Sequence, residues 1–337
     1  MLTLGSHALG EPGARAMIRE TNDDFRVTEV LSFTPSGEGE HVYLEVEKDG
    51  ITTLEAAQRL ARAASVHPKS IGFSGLKDRH AVTSQWFSVQ PRGRVDWQQC
   101  LLRDMQILRV GRHHRKLKRG AHRENRFQIA LRDVSDLSGL EPRLNWLRKN
   151  GMPNYFTEQR FGRNGRNIEL AKAVFAGRRM RRPERSMAIS AARSVIFNRV
   201  LSERVDAGNW NQLLPGDVAA LDGSGSVFAV AELDDVLEKR VGDLDVHPTG
   251  PLWGAGDAMT ERWVRETESR CAERYAELAE GLAGVGKMAR RALRARVRDL
   301  RWRMDDTTLI LNFALGKGQY ATALLRELAQ TTDASRG

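Results

Sequence analysis

The chain has 337 residues, more than one domain usually holds, and 41% are apolar, enough to bury real cores and to exclude a disordered chain. Its 53 Lys and Arg outnumber 43 Asp and Glu, and the resulting net charge of +10 points to a polyanionic partner, nucleic acid rather than membrane. No apolar run is long enough to span a bilayer, residues 1–17 do not read as a secretory signal, and Cys100 and Cys271 form no metal or redox pattern. A soluble protein of a reducing cytosol with two free thiols is expected.

Residues 25–30 and 41–48 alternate apolar and polar side chains and predict half-buried strands, joined through the Gly-rich turn at 35–40. Thr52-Thr-Leu-Glu55 has the spacing of a capping box and opens a helix with Leu54, Ala57, Leu60, Ala61 and Ala64 on one side. Residues 71–73 and 86–89 are short strand candidates, and Phe127, Ile129 and Leu131 alternate in another. Helical spacing holds over 168–175 and 187–205, and residues 217–221 and 227–233 predict strands around the turn at 222–225. Further on, 261–282 and 287–303 predict helices across a Gly-rich break, 307–315 a strand, and 320–330 a closing helix.

Positive charge is concentrated in three runs. Residues 112–126 hold seven Lys or Arg with His113, His114 and His122, and only Glu124 opposes them. Five Arg lie in 178–185, and eight basic residues face Asp299 in 287–303. One such run suits a solvated helix face; three in one chain suit the tracking of phosphates by at least one. The histidines have no Cys or acid partner at metal-ligand spacing. There is no Walker A loop, dinucleotide-binding Gly loop or Ser-His-Asp pattern, which argues against nucleotide hydrolysis, redox chemistry and acyl transfer.

The segment Gly75-Leu-Lys-Asp-Arg-His-Ala-Val-Thr-Ser84 sets one acid, Asp78, between Lys77 and Arg79, whose charges favour its ionised form. Between two sheet elements, such a carboxylate is placed for attack on a nucleoside; a charged tight turn is the other reading of the same residues.

Extended by Gln85, this segment resembles the catalytic motif of the TruD family of tRNA pseudouridine synthases. Four further segments match that family in order: Asp23-Asp-Phe-Arg-Val-Thr-Glu29, Ser36-Gly-Glu-Gly-Glu-His41, Gly151-Met-Pro-Asn-Tyr-Phe-Thr-Glu-Gln-Arg-Phe-Gly162 and Gly318-Gln-Tyr-Ala-Thr-Ala-Leu-Leu-Arg-Glu-Leu328. Asn125 and Phe127 supply its Asn-x-Phe element. The resemblance implies an α+β fold. A pseudouridine-synthase catalytic domain with a mixed, mainly antiparallel sheet would occupy residues 1–152 and 304–337, with an inserted α/β domain at 153–303 and a cleft between them.

The implied activity is the isomerisation of uridine to pseudouridine in tRNA, at uridine 13 of the D arm, by a cytoplasmic monomer with no cofactor and no metal. Uracil is detached through N1 and reattached through C5, so the nucleotide has to leave its stack. By resemblance Asp78 is the nucleophile or base, and Lys77 and Arg79 keep it ionised or touch phosphates. Arg19 stands where the family usually has Lys and offers a second cation. Phe25, Phe127 and Tyr320 (usually Phe) line the pocket, and Asn125 pairs with the acid or with a uracil edge. Arg115, Lys116, Lys118, Arg119 and Arg160 are implied RNA contacts. A non-catalytic RNA-binding protein on the same fold is the competing reading, set against the intact Asp78, Asn125 and Phe127. A nuclease is a third, without the acid cluster or His pair it ordinarily needs.

Overall fold

The alternation in the first third of the chain does form strands, and they are collected into one sheet. The computed structural model describes residues 5–97 and 104–336, so Cys100 lies outside the described residues. The chain runs through β1 (Arg15–Ile18), β2 (Phe25–Leu31), β3 (His41–Asp49), α1 (Thr53–Ala63), β4 (Gly72–Phe73), β5 (Val82–Val89), β6 (Met105–His113) and β7 (His122–Leu131). It continues with α2 (Leu140–Asn150), β8 (Met152–Pro153), α3 (Glu158–Phe161), α4 (Arg166–Phe175), α5 (Arg182–Asp206), β9 (Val218–Leu221), β10 (Val227–Ala229), α6 (Asp235–Gly242) and β11 (Val246–Leu252). The last elements are α7 (Arg262–Glu273), α8 (Ala276–Ala283), β12 (Ala289–Ala292), β13 (Arg294–Ala295), β14 (Arg298–Asp305), β15 (Thr308–Gly316), α9 (Ala321–Leu328) and β16 (Gln330–Asp333).

These elements fall into two units. The sheet unit comprises Ala14–Ser138, Arg298–Gly318 and Gln330–Gly337; the helical unit comprises Met1–Gly13, Gly139–Val297 and Gln319–Ala329. In the sheet unit an eight-stranded sheet has the order β14-β15-β7-β2-β5-β3-β6, with β4 beside β5. Only β2 and β5 pair in parallel; the other neighbours are antiparallel. The sheet is therefore mixed and mainly antiparallel. A separate parallel pair joins β1 to β16.

One face of the large sheet is covered by α1. The Thr52 hydroxyl accepts from the Glu55 N–H at 3.2 Å and the Glu55 carboxylate accepts from the Thr52 N–H at 2.7 Å, so the capping box forms. The buried stripe is Thr53, Ala56, Ala57, Leu60 and Ala61, whereas Leu54 is 54% exposed. Ala57, Leu60, Ala61 and Ala64 are thus buried as expected, and only at the helix start does Thr53, packed inward through its hydroxyl, take the place expected of Leu54.

The helical unit packs α5, α4 and α8 around Ala191, Ile196, Phe197 and Leu282, with the antiparallel sheet β10-β9-β11-β12 beside α5. Residues 261–282 form two helices, α7 and α8, because Tyr275 leaves helical geometry between them. The 287–303 segment is β12, β13 and β14 instead of a helix. Its arginines divide: Arg301 and Arg303 are exposed, whereas Arg290 grips Glu268 through two bonds of 2.6 and 2.9 Å and Arg294 donates to His247 Nδ1 and to the carbonyls of Val241 and Val246. The closing helix stops at Leu328, where the chain turns into β16 to pair with β1. Among the described residues no helix is long and apolar enough to cross a membrane. Cys271 is a buried thiol, pushed up to about 11 chiefly by burial.

Candidate active site

The loop between β4 and β5 carries Asp78 and is tied down along its length. Ser74 accepts from the His122 N–H at 2.8 Å, and its carbonyl accepts from the Gly120 N–H at 2.9 Å. The Gly75 carbonyl accepts from Gln85 Nε2 at 3.3 Å, and the Lys77 N–H donates to the Thr53 hydroxyl at 2.9 Å. That hydroxyl donates in turn to Gln85 Oε1 at 2.8 Å. Beneath the loop, the buried Lys48 ammonium donates to the carbonyls of Ile51 (2.7 Å) and Asp78 (3.3 Å). Burial, helped by the Lys77 charge, holds Lys48 down at about 8.

The sequence neighbours of Asp78 turn elsewhere. The Lys77 ammonium meets the buried Glu29 carboxylate at 2.5 Å, and Arg79 donates to the Gly50 carbonyl at 3.0 Å and faces Glu55 at 3.8 Å. The cation at the Asp78 carboxylate comes from 59 residues away: Arg19 Nη2 lies 3.2 Å from Asp78 Oδ2. Arg19 also holds Asp333 Oδ2 at 2.7 Å, so one planar guanidinium bridges two carboxylates. Its side chain is 3% exposed and that of Asp78 33%, so the cation is walled in while the acid opens to solvent. Burial works to raise the Asp333 carboxyl, but the Ser335 hydroxyl at 2.6 Å and Arg19 outweigh it and hold it below the usual carboxylate range. Arg19 has φ of 59°, a left-handed conformation that costs an ordinary residue roughly 1 kcal/mol or more.

Aromatic rings adjoin this cation. The Arg19 guanidinium lies 4.1 Å from the centre of the Phe25 ring, Phe25 meets Phe127 edge-on at 6.3 Å, and Phe127 stacks on Phe313 at 5.1 Å. Strand register explains the grouping. Phe25 pairs with Ile129, Val27 with Phe127 and Glu29 with Asn125, so alternate residues of β2 and β7 share a face. On that face Asn125 Oδ1 and the Thr83 hydroxyl are buried with no hydrogen-bond partner. Such orphans cost about 1–3 kcal/mol each, and they leave an amide oxygen and a hydroxyl on this face able to pair with a polar ligand.

The remaining sequence-derived candidates fall in two places. Arg115, Lys116, Lys118 and Arg119 are exposed on the β6–β7 connection, which buried Leu117 anchors beside Tyr43 and Trp86. Lys116 donates to the Lys69 carbonyl at 2.8 Å, and the Arg119 guanidinium sits 3.8 Å over the Phe73 ring. Tyr320 and Arg160 belong to the helical unit, where Arg160 donates to the Tyr320 hydroxyl and to the Ser190 hydroxyl. Sequence reasoning missed Lys48, Glu29 and Asp333. The first two had a readable signal, since each is a charge in phase with the buried positions of its strand (Val42, Leu44, Val46, Lys48; Phe25, Val27, Glu29). Among the described residues no group of three His, Cys, Asp or Glu is placed to hold a metal.

A half-open carboxylate beside a buried guanidinium, an aromatic cluster and unpaired amide and hydroxyl groups can bind a planar, polar ring and act on an atom next to it. Comparison with known proteins gives this arrangement a context. A family model described as tRNA pseudouridine synthase D (TruD) matches residues 2–181 and 169–328. The tRNA pseudouridine synthase D of Methylococcus capsulatus is 46% identical over 330 residues, covering 96% of this chain and 93% of that protein. The protein of that name from Aeromonas salmonicida is 40% identical over 341 residues, covering 100% and 97%. A crystal structure from Methanosarcina mazei assigned to TruD has a TM-score of 0.77 over 99% of this chain and 98% of that one; at 19% identity this is a likeness of fold.

Proposed function

The chain belongs to the tRNA pseudouridine synthase D (TruD) family, and from that membership we propose that it isomerises uridine to pseudouridine in tRNA, at position 13 of the D arm. Asp78 is the reacting group. It either adds to the ribose at C1′ as the N1–C1′ bond breaks and is expelled when C5 bonds to C1′, or takes a sugar proton as the N1–C1′ bond breaks and returns it as C5 bonds to C1′. In both routes the freed uracil turns, the C5 proton leaves to solvent and N1 takes one up. Nothing is oxidised, so neither cofactor nor metal is called for. The observation that carries this reading is the convergence of Asp78, Arg19, Phe25 and Phe127 in one unit, with Asn125 Oδ1 left unpaired on the same sheet face.

In this reading Arg19 fixes the carboxylate, and Phe25 and Phe127 give the extruded uracil an apolar wall. Asn125 pairs with a uracil edge, and Lys77 and Arg79 hold the loop that presents Asp78. Arg115, Lys116, Lys118, Arg119 and Arg160 follow the RNA backbone. The catalytic domain would span residues 1–152 and 304–337 and the inserted one 153–303, in a monomer working in the cytoplasm. The test uses a tRNA transcript tritiated at uridine C5. Asp78→Ala should release no tritium, with tRNA affinity within a few fold of wild type, and mapping of the wild-type product should place pseudouridine at position 13. Undiminished release from the variant removes Asp78 from the mechanism and favours a binding protein that carries another chemistry or none.

A further inference from the structure

Every strongly buried arginine described so far has a carboxylate facing it or a full set of acceptors: Arg19 has Asp78 and Asp333, Arg290 has Glu268, and Arg294 has His247 and carbonyl oxygens. Two arginines of the helical unit depart from this pattern. Arg160, on α3, donates to the hydroxyls of Ser190 and Tyr320. Arg291, on β12, donates from Nη2 to Asn154 Oδ1 at 2.5 Å and to the Asn154 carbonyl at 3.2 Å. Both guanidiniums lie over one ring, Phe156, at 5.1 and 4.1 Å from its centre. Neither has a carboxylate within ion-pairing distance among the described residues, and that is what sets them apart; the Nε of each is buried without a hydrogen-bond partner, as is that of Arg19.

Two like charges sharing one aromatic base repel each other. The Arg291 guanidinium is held down at about 10, by burial first and by the Arg160 charge in the same direction. Stacking on Phe156 returns only about 0.5–2 kcal/mol per cation, far short of what a facing anion supplies in a site shielded from water. The arrangement is therefore incomplete as it stands. What completes it is an anion with several oxygens spread in space, able to accept two fixed Nε–H groups and further N–H groups from two planar forks. A tetrahedral phosphate fits this better than a planar carboxylate, and guanidinium forks match its geometry.

We propose that Arg160 and Arg291, with the Tyr320 hydroxyl holding the Arg160 fork, bind one phosphodiester group of the RNA substrate. This rests on the reading of the chain as a tRNA-modifying enzyme. It adds a site in the helical unit, and it gives the Tyr320 hydroxyl a role: an acceptor that fixes the Arg160 fork.

The experiment measures tRNA affinity against salt, with turnover on the same preparations. Arg291→Gln and Arg160→Gln should each weaken tRNA binding about tenfold and reduce the slope of log affinity against log salt by roughly one, as the loss of a phosphate contact requires. Arg291→Lys, which keeps the charge and loses the fork, should recover part of the affinity and all of the slope. Tyr320→Phe should weaken binding a few fold with the slope unchanged; it also serves as the independent probe if Arg291→Gln fails to give the wild-type circular dichroism. Wild-type affinity and slope in folded Arg160→Gln and Arg291→Gln would overturn the phosphate site while leaving the enzyme reading intact. A wild-type protein that forms no pseudouridine overturns the enzyme reading instead. Excess inorganic phosphate, at matched ionic strength, should compete no better than chloride; strong competition would identify a free-anion site and sink the RNA assignment.

Discussion

Two regions of this molecule set arginine against aspartate, and they differ in what surrounds the pair. In the helical unit Arg204 and Asp217 have side chains 1% and 0% exposed, with two bonds between them at 2.9 and 3.1 Å. Arg204 also donates to the carbonyls of Asn209 and Gln212, and Asp217 accepts from the Leu214 N–H at 2.8 Å. That cluster is shut away from solvent, with both charges paired, and pins the chain after α5 to the start of β9. In the sheet unit Arg19 is as buried as Arg204, but Asp78 is one-third open and Arg19 is shared with a second acid. A closed pair carries structure. A buried cation holding a half-open carboxylate holds something that can still react.

The largest expected effect breaks the closed pair. Arg204→Met leaves Asp217 charged and buried, and should lower the stability of the helical unit by about 3–5 kcal/mol in urea unfolding, with turnover per folded molecule unchanged. Arg19→Met should show the reverse balance. Asp78 can be solvated and the left-handed strain at residue 19 is unchanged, so stability should fall by only about 1–2 kcal/mol, while misplacement of the carboxylate should cost turnover about hundredfold. Equal stability losses in the two variants would erase the distinction drawn between them.

Lys48 sharpens the comparison, because it is a buried cation beneath Asp78 that faces carbonyls instead of a carboxylate. Its folded value near 8 lies below the ordinary 10.5, so the unfolded chain binds more protons between these values and stability rises with pH across that window. The cost of its burial is present in full below pH 8. Relative to Lys48→Met, the wild type should therefore gain up to about 3 kcal/mol between pH 8 and 10.5. A pH-independent difference would mean that Lys48 titrates as an exposed lysine.

A smaller change tests the shared acid. Arg19→Lys installs the residue that the family resemblance leads one to expect, yet one ammonium cannot reproduce a planar fork whose two ends each hold one carboxylate. Turnover should drop about tenfold with stability altered by less than about 1 kcal/mol. If turnover is unchanged, the bridge to Asp333 is dispensable and a point charge suffices.

How much of this was legible in the sequence follows from the range of each interaction. Alternation gave β2, β3 and β7, and the capping box gave the start of α1, because those signals lie within a few residues. The 287–303 segment misled because its period-2 pattern is written in arginines: Arg290 and Arg294 face inward on Glu268 and His247, partners far away in sequence. Arg19 looked like a cation for Asp78 only through the family resemblance. Asp333 carried no local signal at all, since it reaches Arg19 from the far end of the chain through the β1–β16 pair. Lys77 and Arg79, adjacent to Asp78 in sequence, make their ion pairs with Glu29 and Glu55, because neighbours along an extended loop point in different directions.

The smallest expected effect concerns the tether between helix and loop. Thr53 is the first residue of α1 and is buried; its hydroxyl accepts from the Lys77 N–H and donates to Gln85 Oε1, joining the helix start, the Asp78 loop and β5. Thr53→Val keeps the shape and removes the hydroxyl, so two polar groups lose a partner in a nearly dry site, at about 1 kcal/mol of stability. Lys48 still holds the Asp78 carbonyl and Gln85 still holds Gly75, so the loop should loosen without detaching, and turnover should fall about threefold with tRNA affinity unchanged. A fall as large as that of Arg19→Met would move the control of Asp78 from its cation to its backbone. The comparison between the open and closed pairs would then have singled out the wrong partner.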